Sequence, residues 1–219
     1  ALDDVVAEVE KLLAEYPAPD GVDLEVGGTV EDQGDAFGDL GTLLILIVIL
    51  VYIVMATQFE SLKFPFIIMF TIPFAFTGVF LALWMTSTPL SLIALIGAIM
   101  LVGIVTKNGI VMVDYMNLLI ERGSGVFDAV IAGGKSRLRP VLMTSFTTIL
   151  GMLPLAIGTG AGSETWQPMG IAVIGGLTFS TILTLFIVPV LYSILVNRSQ
   201  RKEREKLARL SAEHQASKH

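Results

Sequence analysis

Apolar residues run along this chain in blocks longer than a soluble fold needs. Leu40–Thr57, Phe64–Met85, Leu92–Val113, Val141–Ile157 and Met169–Val196 are almost free of charge. A helix that crosses the hydrocarbon layer needs about 20 such residues. The pattern therefore predicts an all-α membrane protein with five transmembrane helices, over about 40–57, 64–86, 91–116, 140–157 and 168–196. Pro65 and Pro73 fall in the second block, Gly151 and Pro154 in the fourth, and Pro189 in the fifth.

The polar stretches between these blocks differ from one another. Ahead of the first, Val5, Val6, Val9, Leu12 and Leu13 fall on one helical face, with Asp3 or Asp4 placed to cap a helix ending near Tyr16. Pro17, Pro19 and Gly21 end it. Val22–Val26 then alternates apolar and acidic residues, as a half-buried strand does, before a turn at Gly27 and Gly28. One helix and one strand cannot bury a core by themselves. Residues 1–39 thus read as the small α/β end of a larger domain. Residues 125–134 are amphipathic and bounded by glycines, which predicts a segment lying along the membrane surface. Residues 198–219 mix both signs of charge and read as a solvated, partly frayed helix.

Charge adds an orientation. Residues 1–39 hold twelve acids and one base, Lys11; the remainder holds eight acids and thirteen bases. The connections around Lys63, around Arg122, Lys135, Arg137 and Arg139, and after Arg198 all carry bases. If every block crosses, these three lie on one side, and the base-free connections 86–91 and 158–168 lie on the other. Basic connections stay cytoplasmic. The acidic head is expected outside and the C-terminus inside. Ala1 opens the chain in place of Met, which reads as a piece of a longer protein or a processed product.

Composition narrows the chemistry. There is no cysteine, and His214 and His219 lie in the last six residues. A thiolate or histidine metal site in the body is excluded. With 53% apolar and 16% charged residues, the chain is no nucleic-acid binder or disordered tail. No P-loop, nucleophile elbow or HExxH is present, so nothing supports an enzyme.

Lys107 is the residue the pattern does not explain. It sits about 7 Å past the midpoint of the third block. A cation inside a spanning helix is costly unless paired or wetted. A lysine that snorkels to the interface is the bland alternative. Thr106 and Asn108 flank it, and Asp114 is seven residues on, on the same face but about 10 Å away. Thr144 and Thr148 share a face of the fourth block; Thr178 and Thr181 share one of the fifth. No carboxylate lies within a span, so an acid for Lys107 must come from elsewhere. Ala94, Ala98, Gly103, Gly109, Ala172 and Gly176 are small enough to let helices approach closely.

These residues carry a resemblance. Gly103–Asp114 (GIVTKNGIVMVD) is similar to the tenth transmembrane helix of resistance–nodulation–division (RND) efflux pumps, in the hydrophobe/amphiphile efflux branch. Arg137–Ser145 (RLRPVLMTS) and Gly151–Gly162 resemble the eleventh helix and its outer loop, Phe186–Val190 the twelfth, and Gln58–Lys63 the link between the eighth and ninth. The resemblance covers essentially the whole chain. It implies a trimeric inner-membrane transporter exchanging protons for drugs or other amphiphiles, driven by the proton-motive force without a cofactor. It implies a proton relay in which Lys107, Arg137 and Thr144 meet two aspartates of the N-terminal half, with Asn108, Asp114 and Thr148 as possible helpers. Residues 1–39 would then end a porter subdomain. The implied partners are membrane lipid, the N-terminal half, a periplasmic adaptor and an outer-membrane channel. A structural or assembly module without transport activity is the alternative of a different class.

Overall fold

A computed structural model of the chain describes residues 2–15, 29–160 and 162–216. It divides into two compact units, residues 1–46 and 47–219. Seven helices occur among the described residues: α1 (Leu2–Glu15), α2 (Thr29–Gln58), α3 (Lys63–Met69), α4 (Thr71–Met85), α5 (Leu92–Glu121), α6 (Val126–Ile157) and α7 (Ser163–Ala216). Five stretches are long and apolar enough to cross a membrane: Gln33–Gln58, Lys63–Met85, Leu92–Glu121, Val126–Ile157 and Ser163–Arg198.

In the first unit, α1 starts at Leu2, so Asp3 and Asp4 lie inside its first turn rather than at its cap. Val5 and Leu12 are exposed on its apolar face. The strand expected at 22–26 lies outside the described residues. Thr29–Asp39 belongs to α2, continuous with the first span, and not to the α/β end expected ahead of it. In hydrocarbon every backbone amide must be satisfied within its own helix, and a helix already running is the cheapest way to enter.

The second unit is built around α7, which packs on α3, α4, α5 and α6. Glycines set the closest approaches. A Cβ on Gly175 would overlap the Cβ of Ala82, and one on Gly78 would lie 2.6 Å from the Phe179 Cβ and 2.7 Å from the Gly175 carbonyl oxygen. A Cβ on Gly176 would overlap the Leu101 side chain, and one on Gly109 would lie 2.7 Å from Ile68. With lipid as apolar as leucine, such close packing is what holds membrane helices together. Two apolar clusters result. One gathers Val79, Leu83, Ala98, Leu101, Ala172 and Leu177. The other gathers Met55, Ile67, Ile68, Met112, Met116 and Tyr192.

Local chemistry explains the breaks and joins. The second span splits at Phe70 because Pro73 has no N–H to give the Met69 carbonyl. The Phe70 N–H closes α3 on Phe66 at 3.2 Å, and the Thr71 hydroxyl donates to the Ile68 carbonyl at 2.6 Å. Gly123 (φ +90°) and Gly158 (φ +70°) end α5 and α6 in the left-handed region that glycine enters freely. The segment 125–134 is not set apart. It forms the first turns of α6, whose helix runs on through Pro140 and Pro154. Gly133 is there for packing: a Cβ would lie 2.6 Å from Met116. The tail is helical, as expected, and continues α7 to Ala216.

Candidate functional site

α5 is capped by Ser91, whose side chain accepts the Ala94 N–H at 3.2 Å. One side of the helix is fully packed: Ala94, Ala98, Leu101, Val105, Met112 and Met116 are buried. The other side carries an exposed stripe of Ile96, Met100, Gly103, Lys107, Asp114 and Leu118. The spacing of three, four and seven residues puts these on one face. Lys107 and Asp114 are the charges on it before the last turn, where Glu121 follows at the same spacing. Gly103, expected to admit a neighbouring backbone, meets nothing within 4 Å. Neither Lys107 nor Asn108 has a hydrogen-bond or ion-pair partner among the described residues.

Contacts between helices fix levels along the bundle. Gly97 lies against Met169 and Leu101 against Gly176, so α5 and α7 run in the same direction. Five residues further along each come Thr106 and Thr181, about 7.5 Å on. Thr181 and Ser145 share a buried hydroxyl–hydroxyl bond of 2.9 Å between α7 and α6. Thr106, Ser145 and Thr181 thus form one level, next in sequence to Lys107 and Thr144. All three are buried, as are Ser180 and Thr184. The Thr106 hydroxyl donates to the Val102 carbonyl at 2.8 Å, whereas the Thr184 hydroxyl is buried without a partner among the described residues. A polar layer therefore crosses the apolar bundle at the depth of Lys107.

The other expected residues are placed differently. Thr144 is exposed and donates to the Val141 carbonyl at 3.0 Å; Thr148 donates to the Thr144 carbonyl at 2.9 Å. Both are back-bonded to their own helix, a habit of hydroxyls in helices. Arg137 stacks on Tyr115, its guanidinium carbon 4.6 Å from the ring centroid, and its Nε is buried without a hydrogen-bond partner among the described residues. Tyr115 is eight residues beyond Lys107, about 12 Å along α5. Arg137 is thus held nearer Asp114 than Lys107 in level. Asp114 lines a cavity of about 300 Å³ together with Gln58, Glu60, Asn117 and Glu121.

Sequence reasoning missed Tyr115, Ser145, Thr184 and the pair Asn117–Tyr192. The buried Tyr192 hydroxyl donates to the Asn117 Oδ1, tying α7 to α5, and its ring stacks on Phe64 at 5.6 Å. A polar residue inside an apolar run was the available signal for Ser145, Thr184 and Asn117. Nothing local marks Tyr115 or Tyr192 as partners.

A lone cation on an open, apolar helix face with a buried hydroxyl layer beside it is a transport-type arrangement, and comparison with known proteins decides the family. The profile of the AcrB/AcrD/AcrF family matches residues 1–196. The chain belongs to that family of RND transporters. It is 37% identical over 199 residues to the swarming motility protein SwrC of Bacillus subtilis, covering 90% of this chain and 19% of that one. It matches the cobalt-zinc-cadmium resistance protein CzcA of Cupriavidus metallidurans at the same identity and coverage. Over 211 residues it is 37% identical to the multidrug resistance protein MdtC of Yersinia enterocolitica, covering 96% of this chain and 21% of that one. Among solved structures, a heavy metal efflux pump superposes with a TM-score of 0.75 at 30% identity, covering 86% of this chain and 18% of the pump. The chain thus spans about one-fifth of the length of these relatives.

Proposed function

We propose that this chain is the C-terminal membrane part of a proton-driven efflux transporter of the inner membrane, exporting drugs or other amphiphiles in exchange for protons. The observation that carries this reading is Lys107: exposed and without a partner among the described residues, on the one face of α5 that its own neighbours leave open. A cation at that depth needs a counter-charge or water. Aspartates from the N-terminal half supply it, and their protonation loosens the pair and shifts the helices. Thr144 and the Ser145–Thr181 layer lie beside the pair, and Arg137 on Tyr115 stands about two turns nearer the basic loops. Asn108, Asp114 and Thr148 act as helpers at most. The acidic head faces outward and the C-terminus inward. The open sides of α2, α5 and α6 receive the rest of a pump that works as a trimer with a periplasmic adaptor and an outer-membrane channel.

The test is Lys107→Ala in the complete pump, read as proton-coupled export by inverted membrane vesicles. Export is lost while trimer yield and thermal stability stay at the wild-type level. Undiminished export by a well-expressed variant overturns the relay. The alternative, an assembly module without transport activity, predicts the reverse: intact export and a reduced yield of assembled trimer. The relatives' names divide between drug and metal-ion export, so the same vesicles are assayed with an amphiphilic dye and with Co²⁺ or Zn²⁺. Transport of the metal ion alone overturns the amphiphile reading and leaves the relay standing.

A further inference from the structure

The bundle contains a second cavity, at the end opposite the basic loops. It measures about 410 Å³ and lies among the last turn of α4, the last turns of α6 and the early turns of α7. Met85, Leu153, Ile157, Ile171 and Ile174 form its walls. Its polar groups are Thr86, Thr88 and Gln167, none of them charged. These are largely engaged already. Thr86 and Thr88 hydroxyls bond each other at 2.9 Å, and the Gln167 amide nitrogen donates to the Ala156 carbonyl at 3.1 Å.

Three observations bear on what fills it. First, relaxation cannot close it. Gly175 against Ala82 and Gly170 against Ala156 hold α4 and α6 tightly on α7 at either side of the gap. An unfilled apolar gap forfeits the dispersion contacts of its lining. Second, its mouth lies at the membrane boundary. The chain's two tryptophans, Trp84 and Trp166, are each one residue before a lining residue, and both are exposed. Tryptophan settles at the headgroup level. Third, its size and neutrality exclude the bulkier and charged occupants. One turn of helix with side chains, 5.4 Å of a cylinder about 10 Å across, takes about 420 Å³. The cavity therefore holds no more than one turn of a neighbouring helix. The volume lies in the range of small-molecule sites, about 300–1,000 Å³.

We propose that this cavity is a binding site for one acyl chain of a membrane phospholipid, entering from the leaflet on the side of residues 86–91 and 158–162. The chain lies between α4, α6 and α7 with its glycerol end at the Thr86–Thr88 rim, and completes the packing of the bundle there. This inference is independent of the proton relay.

It is tested on the full-length protein in phosphatidylcholine nanodiscs containing a trace of phosphatidylcholine with a diazirine in one acyl chain. After photolysis, peptide mapping locates the cross-links. They concentrate on 153–157 and 167–174, above the level at lipid-facing Phe80 and Phe186. Leu153→Trp and, separately, Ile157→Trp fill the cavity and bring its yield down to that background, while Phe186→Trp leaves it unchanged. Cross-links spread evenly over all lipid-facing residues overturn the proposal. So does a cavity silent to lipid in the wild-type protein, which marks it as filled by protein.

Discussion

The helices of this chain fall into two groups that are equally apolar but unequally packed. About half of the most apolar stretch of the α3–α4 span, α5 and α7 is buried: 44%, 56% and 50%. In α2 the share is 6% and in α6 it is 11%. Most glycines divide the same way, Gly103 of α5 and Gly133 of α6 being the exceptions. Gly78, Gly109, Gly175 and Gly176 have no room for a Cβ, whereas Gly34, Gly38, Gly41, Gly134 and Gly151 meet nothing within 4 Å. The spacing of apolar residues does not separate the two groups, because a membrane helix is apolar all round. What distinguishes a packed face from an open one is the size of its residues and what stands opposite. α5 carries both kinds of face, one closed by α4 and α7 and one holding Lys107.

The sharpest way to break this contrast is to overfill the packed side. Gly175→Leu drives a side chain into Ala82 and the Gly78 backbone. Overpacking of a close-packed core costs about 1–3 kcal/mol and sometimes more, and here the obstacle is backbone that cannot rotate away. The full-length protein is expected to lose most of its folded yield by size-exclusion chromatography. Unchanged yield would mean that α4 and α7 are not held at this distance.

A smaller effect is expected where the packed side is tied by a polar bond. Tyr192→Phe keeps the ring on Phe64 and removes the hydroxyl that donates to Asn117. The loss of a buried hydrogen bond, with its acceptor left behind, costs about 1–2 kcal/mol. The melting temperature of the complete protein, about five times the length of this chain, falls by about 1 °C, with export unaffected. A loss of export at unchanged stability would instead place Asn117 and the neighbouring acidic cavity in the transport path.

Much of this architecture is legible in the sequence because hydrophobic length is a local property. So is a charge inside an apolar run, and Lys107 stands out that way. The break at Phe70 and the continuity of α6 are not legible. Pro73 acts on a residue four positions earlier, and Gly133 next to Gly134 reads as a boundary until Met116 is seen against it. The stripe of small residues holds except at Gly103, with Ala94, Ala98 and Ala172 buried in one cluster. Gly109 and Gly176 admit neighbours, while Gly103 faces the open side with Lys107. Pairings such as Arg137 with Tyr115 or Ser145 with Thr181 join residues distant in the chain, and periodicity does not record distance between helices.

The polar layer gives the finest test of the contrast, because it sits where the two groups of helices meet. Ser145 belongs to sparsely packed α6 and Thr181 to densely packed α7, and each is buried where they touch. Interhelical hydrogen bonds in membranes average only about 0.6 kcal/mol, since the separated helices find other partners in the same hydrocarbon. Ser145→Ala and Thr181→Val are each expected to cost about that much, and the double variant no more than either single one. A double-mutant cycle on unfolding free energy isolates the pair, provided neither substitution makes new contacts. A coupling near zero would show that apolar packing alone holds α6 to α7 at this level. A coupling of about 2 kcal/mol or more, above the largest measured for such pairs in a membrane bundle, would mark the layer as a tight latch. α6 would then move with α7, and the division between packed and open helices would run through the faces of α6 rather than between it and its neighbour.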